Sequence, residues 1–253
     1  MATANVAPLP GREPELRGKT VVVIGGSAGI GFEVARRARA EGAELIVAAR
    51  DTVRLRHAAA ELGAQTAASF DATDPAALER FFRELPGPVD HVMVTAGRPR
   101  YGRLADMDYA EMREAIDEHL LQTLEVARNA PGRVRPGGSL VFMGGTGGRR
   151  PGPGRAIVSA VTAAMPALVA GLALELAPIR VNLIAPGFVD TPLSATLLGD
   201  ELDSRRRQLR DTLPIGRVVG PADVAALAVH VMTNTALTGA TYDIDGGQQL
   251  VAA

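Results

Sequence analysis

The chain has 253 residues, a formal net charge of −1, 47% hydrophobic residues and 22% charged ones. That length is enough for one large core, and the near-zero charge gives no electrostatic reason to expect nucleic acid or an anionic membrane as partner. The chain has no cysteine, which excludes disulfides, thiolate metal sites and cysteine nucleophiles; no metal site is expected.

Residues 1–18 hold three prolines and few large apolar groups, and are expected to form a flexible N-terminal arm. They lack the basic start and apolar stretch of a signal peptide. No apolar run is expected to span a bilayer, so a soluble, cytoplasmic protein acting on a small molecule is the simplest reading. Residues 19–253 are expected to form a single domain. Short apolar runs at 20–24, 44–48, 66–69, 91–95, 139–143, 180–184 and 241–244 predict strands. Between them, apolar residues at three- and four-residue spacing predict helices over 31–41, 53–62, 75–84, 109–128, 156–175 and 221–232. Thr73-Asp74-Pro75 and Gly220-Pro221 place proline at a first helical turn. The strands are apolar almost throughout, as they are when helices cover both faces of a parallel sheet. Strand–helix alternation along the whole length therefore predicts an α/β, doubly wound (Rossmann), mainly parallel sheet of about seven strands with helices on both faces.

The first strand runs straight into Gly25-Gly26-Ser27-Ala28-Gly29-Ile30-Gly31 and then a helix. Glycines there permit a tight turn, close approach of backbone to an anion, and close helix–strand packing. The helix N-terminus offers free N–H groups and a positive dipole end to a pyrophosphate. The second strand ends Ala48-Ala49-Arg50. Where a carboxylate would bind the adenosine ribose stands Ala49, and Arg50 after it suits a 2′-phosphate. NADP(H) is thus expected over NAD, with Asp51 as the competing ribose ligand.

These residues resemble the classical short-chain dehydrogenase/reductase family over roughly residues 18–250. Gly25, Gly29 and Gly31 match its Gly-xxx-Gly-x-Gly turn, and Thr95-Ala96-Gly97 the end of its Asn-Asn-Ala-Gly motif. Arg180-Val181-Asn182, Pro186-Gly187 and Thr191 match the segment that meets the nicotinamide, and Asp243-Ile244-Asp245-Gly246-Gly247 the C-terminal strand and turn. The resemblance implies a cofactor held by Gly25, Ser27, Gly29, Ile30, Gly31, Arg50, Asp71, Ala72, Ala96, Gly97, Pro186, Gly187, Val189 and Thr191, with Asp71 toward adenine. It also implies a substrate lid near 190–215, and a homotetramer or homodimer formed through helices 109–128 and 156–175.

The family's Asn, Ser, Tyr and Lys tetrad is not matched. Alignment puts His119 at the asparagine, Gly145 at the serine, Val158 at the tyrosine and Thr162 at the lysine. Lys19, ahead of the first strand, is the only lysine, and the tyrosines are Tyr101, Tyr109 and Tyr242, so no shift of register restores the motif. His119, Thr146, Ser159 and Thr162 are the substitute candidates for handling substrate and proton. Tyr101 is expected near the substrate entrance. His57, His91 and His230 are expected at the surface. Arg205-Arg206-Arg207 and Arg210 suit a solvated helix face, and 144–154 (with Arg149 and Arg150) a mobile loop beside the cleft.

The expected function is NADP(H)-dependent carbonyl reduction or alcohol oxidation with a non-standard catalytic site. Two alternatives stand beside it: a degenerate cofactor-binding or partner protein, and a non-redox lyase, isomerase or cyclase.

Overall fold

The computed structural model describes residues 15–251; most of the expected arm lies outside the described residues. Seven strands form one sheet: β1 (Thr20–Ile24), β2 (Glu44–Ala49), β3 (Thr66–Ser69), β4 (Val89–Val94), β5 (Val134–Met143), β6 (Arg180–Pro186) and β7 (Thr241–Ile244). All pair in parallel, in the order β3-β2-β1-β4-β5-β6-β7. The order reverses between β1 and β4, which opens a crevice beyond the carboxyl ends of those strands.

Alternation along the strands explains why the sheet is covered twice. Val22, Ile24, Ile46, Val92, Val94, Leu140 and Phe142 face one way and form a core with α3 (Pro75–Arg83), α5 (Gln122–Asn129) and α6 (Ala156–Glu175). Val21, Val23, Leu45, Val47, Met93 and Val141 face the other way, onto α1 (Gly29–Ala40), α2 (Thr52–Leu62) and α9 (Pro221–Thr233). Both faces are buried, so the strands read as continuous apolar runs. Local chemistry starts the helices: Asp74 caps α3 by accepting from the N–H groups of Ala76 and Ala77, with Pro75 at the first turn. Phe81 and Phe82 then enter the core, each worth about 1.5–3 kcal/mol of burial.

Four expectations need correction, and the lid gains definition. The helix expected over 109–128 is α4 (Tyr109–Ile116) and α5, joined by a π-helical turn over Asp117–Leu121. The lid segment is itself helical, as α7 (Pro192–Leu198) and α8 (Leu202–Thr212). Leu16, assigned to the flexible arm, is fully buried, and its N–H donates to the Glu41 carbonyl. His91 is buried rather than at the surface, because β4 begins at Val89 and lies between β1 and β5. The 20-residue α6 is long and apolar enough by length and composition to cross a membrane. Here it packs as a core helix, with Met165, Val169 and Leu172 against the sheet.

The expected loop over 144–154 starts as a short 3₁₀ turn, Thr146–Arg149. Arg149 pairs with Asp243 and donates to Gln249 Oε1 (2.8 Å), while Arg150 donates to the Gln248 carbonyl. Its first half is therefore tied to the C-terminal turn.

Candidate active site

A cavity of about 1000 Å³ opens at the crevice between β1 and β4. The glycine turn forms one wall. A Cβ added at Gly31 would lie 2.3 Å from the Gly25 carbonyl oxygen and 2.4 Å from Thr95 Oγ1. One added at Gly25, where φ is +99°, would lie 2.6 Å from the Ala96 nitrogen. Only glycine lets β1, β4 and α1 meet this closely. Gly29 faces Thr191, which caps α7, so the turn and the lid face each other across the cavity. A close backbone, the free N–H groups of α1 and no acidic residue in its first turn fit a pyrophosphate.

Gly25, Gly29, Ile30, Gly31, Ala96, Gly97, Pro186, Gly187, Val189 and Thr191 all line this cavity. Ser27, Arg50, Asp71 and Ala72 do not. Arg50 and Asp71 lie together at the ends of β2 and β3, 3.9 Å apart and well exposed. Asp51 caps α2, its Oδ1 accepting from the Val53 and Arg54 N–H groups.

The opposite wall carries the remaining candidates. His119, Thr146 and Thr162 line the cavity, as do Gly145 and Val158. The corner is tight: a Cβ on Gly145 would lie 3.4 Å from Thr162 Cγ2 and 3.6 Å from the Pro186 carbonyl oxygen. Thr162 donates its hydroxyl proton to the Val158 carbonyl (2.7 Å), one helical turn back. Ser159 is outside the lining, and its hydroxyl donates to the Gly147 carbonyl (3.2 Å). Thr146 is buried and no hydrogen bond engages its hydroxyl among the described residues.

His119 sits in the π-helical turn, a feature that often marks functional sites. Its Nδ1 is 3.0 Å from the Ala115 carbonyl; the carbonyl can only accept, which assigns the proton to Nδ1 and leaves Nε2 as an acceptor in the neutral ring. Burial pushes the His119 pKa below its ordinary value, against the opposing pull of the Ala115 carbonyl and of Glu118.

Glu118 was not anticipated. It is buried, lines the cavity, accepts from the Arg98 N–H (3.2 Å) and lies 3.7 Å from Arg100. Its signal was present in the sequence: Glu118 and Gln122 interrupt the inward stripe begun at Ala115 and resumed at Val126 with polar groups. Tyr101 lines the cavity as expected. The arginine run divides. Arg206 forks onto Asp190 (2.7 and 2.9 Å) and pairs with Asp203, Arg207 and Arg210 are exposed, and Arg205 lines the cavity.

A doubly wound parallel sheet with a glycine cradle at its switch point defines a dinucleotide-fold protein. The family profile described as "Enoyl-(Acyl carrier protein) reductase" matches residues 25–249. A protein named short-chain dehydrogenase/reductase ATR9, from Stachybotrys chlorohalonatus, is 31% identical over 252 residues, covering 92% of this chain and 98% of its own. The chain belongs to the short-chain dehydrogenase/reductase family. Among solved structures, the MalC reductase/Diels-Alderase of Malbranchea aurantiaca superposes with a TM-score of 0.87 at 26% identity, covering 94% of this chain and 99% of that one. A small-chain dehydrogenase in complex with NADPH gives a TM-score of 0.80 at 29% identity, covering 92% and 99%.

Proposed function

We propose that this protein is an NADP(H)-dependent oxidoreductase that interconverts a carbonyl and an alcohol, with a proton-handling site unlike that of its family. The observation that carries this reading is one continuous cavity. The glycine cradle at one wall and His119 with Thr146 at the other open into the same space. Gly25, Ser27, Gly29, Ile30 and Gly31 would hold the pyrophosphate, Asp71 and Ala72 the adenine, and Ala96, Gly97, Pro186, Gly187, Val189 and Thr191 the nicotinamide half. Arg50, with no carboxylate at Ala49, favours a 2′-phosphate. The NADPH complex of a relative supports the same cofactor.

A nicotinamide bound there supplies the hydride chemistry. The protein handles the proton. Without a tyrosine and lysine on α6, His119 Nε2 takes a proton from an alcohol or gives one to a carbonyl oxygen, and the Thr146 hydroxyl holds that oxygen. Because burial depresses the His119 pKa, the neutral ring predominates at neutral pH and is the form that accepts a proton from an alcohol. Carbonyl reduction needs the imidazolium and rises as pH falls toward the depressed pKa. In a screen of alcohols and ketones that follows NADPH absorbance, His119→Asn is expected to lower kcat by about 100-fold or more. An unchanged kcat would remove His119 from the reaction.

A second, non-redox reading is favoured by the same missing tyrosine and lysine. One relative is described as both a reductase and a Diels-Alderase, which supports it. Substrate conversion with no change in NADPH absorbance would select it. The reading also carries a homo-oligomer, since Ile116, Leu121, Leu124 and Leu174 stand exposed on the helices of this face.

A further inference from the structure

Three guanidinium groups converge on the lid side of the cavity from separate segments. Arg150 follows the 3₁₀ turn, Arg155 precedes α6, and Arg205 belongs to α8; all three line the cavity. Arg205 is the member in reach of the other two: burial lowers its pKa first, the charges of Arg155 and Arg150 lower it further, and Tyr101 opposes them. Among the described residues none of the three pairs with a carboxylate; Arg205 donates to Gln208 Oε1 and Arg150 to the Gln248 carbonyl. Their neighbours differ. Arg149 and Arg206, adjacent in sequence, both pair with aspartates. The two carboxylates lining the cavity do not answer the cluster, because Glu118 is held by Arg100 and the Arg98 N–H, and Glu201 joins none of the three.

Like charges lining one cleft repel, and partial removal from water adds cost for the half-buried Arg150 and Arg205, while Arg155 stands exposed at the rim. An oxyanion relieves both, and guanidinium groups grip it by charge-assisted hydrogen bonds. Beside the cluster, Leu193, Leu197 and Leu198 of the lid line the cavity with Leu209.

We propose that Arg150, Arg155 and Arg205 form an oxyanion subsite, so that the substrate is an apolar molecule ending in a carboxylate or phosphate. This rests on reading the cavity as a substrate cavity, and it deepens the oxidoreductase reading by assigning a substrate class.

The test is calorimetric titration of the protein, with and without NADPH, using octanoate, octyl phosphate and 1-octanol. One of the two anions is expected to bind at least about tenfold tighter than the alcohol, and the tighter anion identifies the headgroup. The Arg155→Gln/Arg205→Gln double variant is expected to lose that preference while binding NADPH as the wild type does, which also reports that it is folded. Arg150 is left intact because it ties down the C-terminal turn. Equal binding of all three probes, no binding of any, or a preference retained in the variant would overturn the proposal. So would a variant that keeps the preference and loses NADPH, since the arginines would then serve a cofactor phosphate. Loss of NADPH binding in the wild type with the anion preference intact would instead remove the cofactor reading and leave the subsite standing.

Discussion

His91 lies in the middle of a parallel sheet, its Nδ1 2.9 Å from Ser139 Oγ. Burial pushes its pKa down to about 4; Arg180 adds to the depression, Asp90 opposes it, and Lys19 lowers it slightly more. The folded protein therefore keeps His91 neutral where the unfolded chain, with an ordinary value near 6.5, takes up a proton. The stability that His91 contributes is intact above about pH 6.5 and is lost as pH falls from there to about 4, on the order of 3 kcal/mol in all. Urea unfolding of wild type and His91→Gln near pH 7 and pH 4.5 checks this, since glutamine can still bond Ser139. The wild type should lose the more stability on acidification; equal losses would contradict the account. His119 responds to the same force in a different place: its pKa is also lowered by burial, but it faces a cavity.

At the scale of elements, what could be read from the sequence depended on whether burial leaves a period. The central strands and the glycine turn were legible because a parallel sheet buried on both faces imposes apolar runs, and a tight turn imposes glycine; the edge strands β3 and β7 are largely unburied, and the first half of β5 carries no such run. Of the lid helices only a solvated face at the arginine run was legible, and not their bounds. In α8 only Leu209 is buried, and α7 buries nothing, so neither carries a core-facing stripe. The π-helical turn was hidden because Ala115 and Val126 keep helical spacing on either side of it. Of the residues that line the cavity, those in continuous motifs were legible: Gly25, Gly29, Ile30, Gly31, Ala96-Gly97 and Pro186-Gly187. Glu118 and the split roles of Arg205 and Arg206 depend on which partner each side chain meets, and that is a property of the folded chain. The fixed half of 144–154 is the same case, since Arg149 finds its partner 94 positions away.

For the whole molecule, the described surface leaves large apolar side chains uncovered along the segments 109–129 and 156–175. Leu174 of α6 is 84% exposed and Tyr109 of α4 is 77% exposed, with Ile116, Leu121 and Leu124 nearby in sequence. Large apolar side chains left exposed on these helices are the expected mark of a homo-oligomer. Light scattering at micromolar concentration is expected to give a dimer or tetramer; a monomer would contradict it. The proposed function rests on the cavity at the switch point, which the glycine cradle, His119 and Thr146 all line. The direct measurement is a calorimetric titration of the purified protein with NADPH, then with NADH. Micromolar binding of NADPH is expected, about tenfold or more tighter than NADH through the charge-assisted contact of Arg50, with the preference lost in Arg50→Gln. Binding of neither nucleotide would mean that the glycine cradle does not suffice where Thr162 stands at the position of the family's lysine, and the oxidoreductase reading would fall.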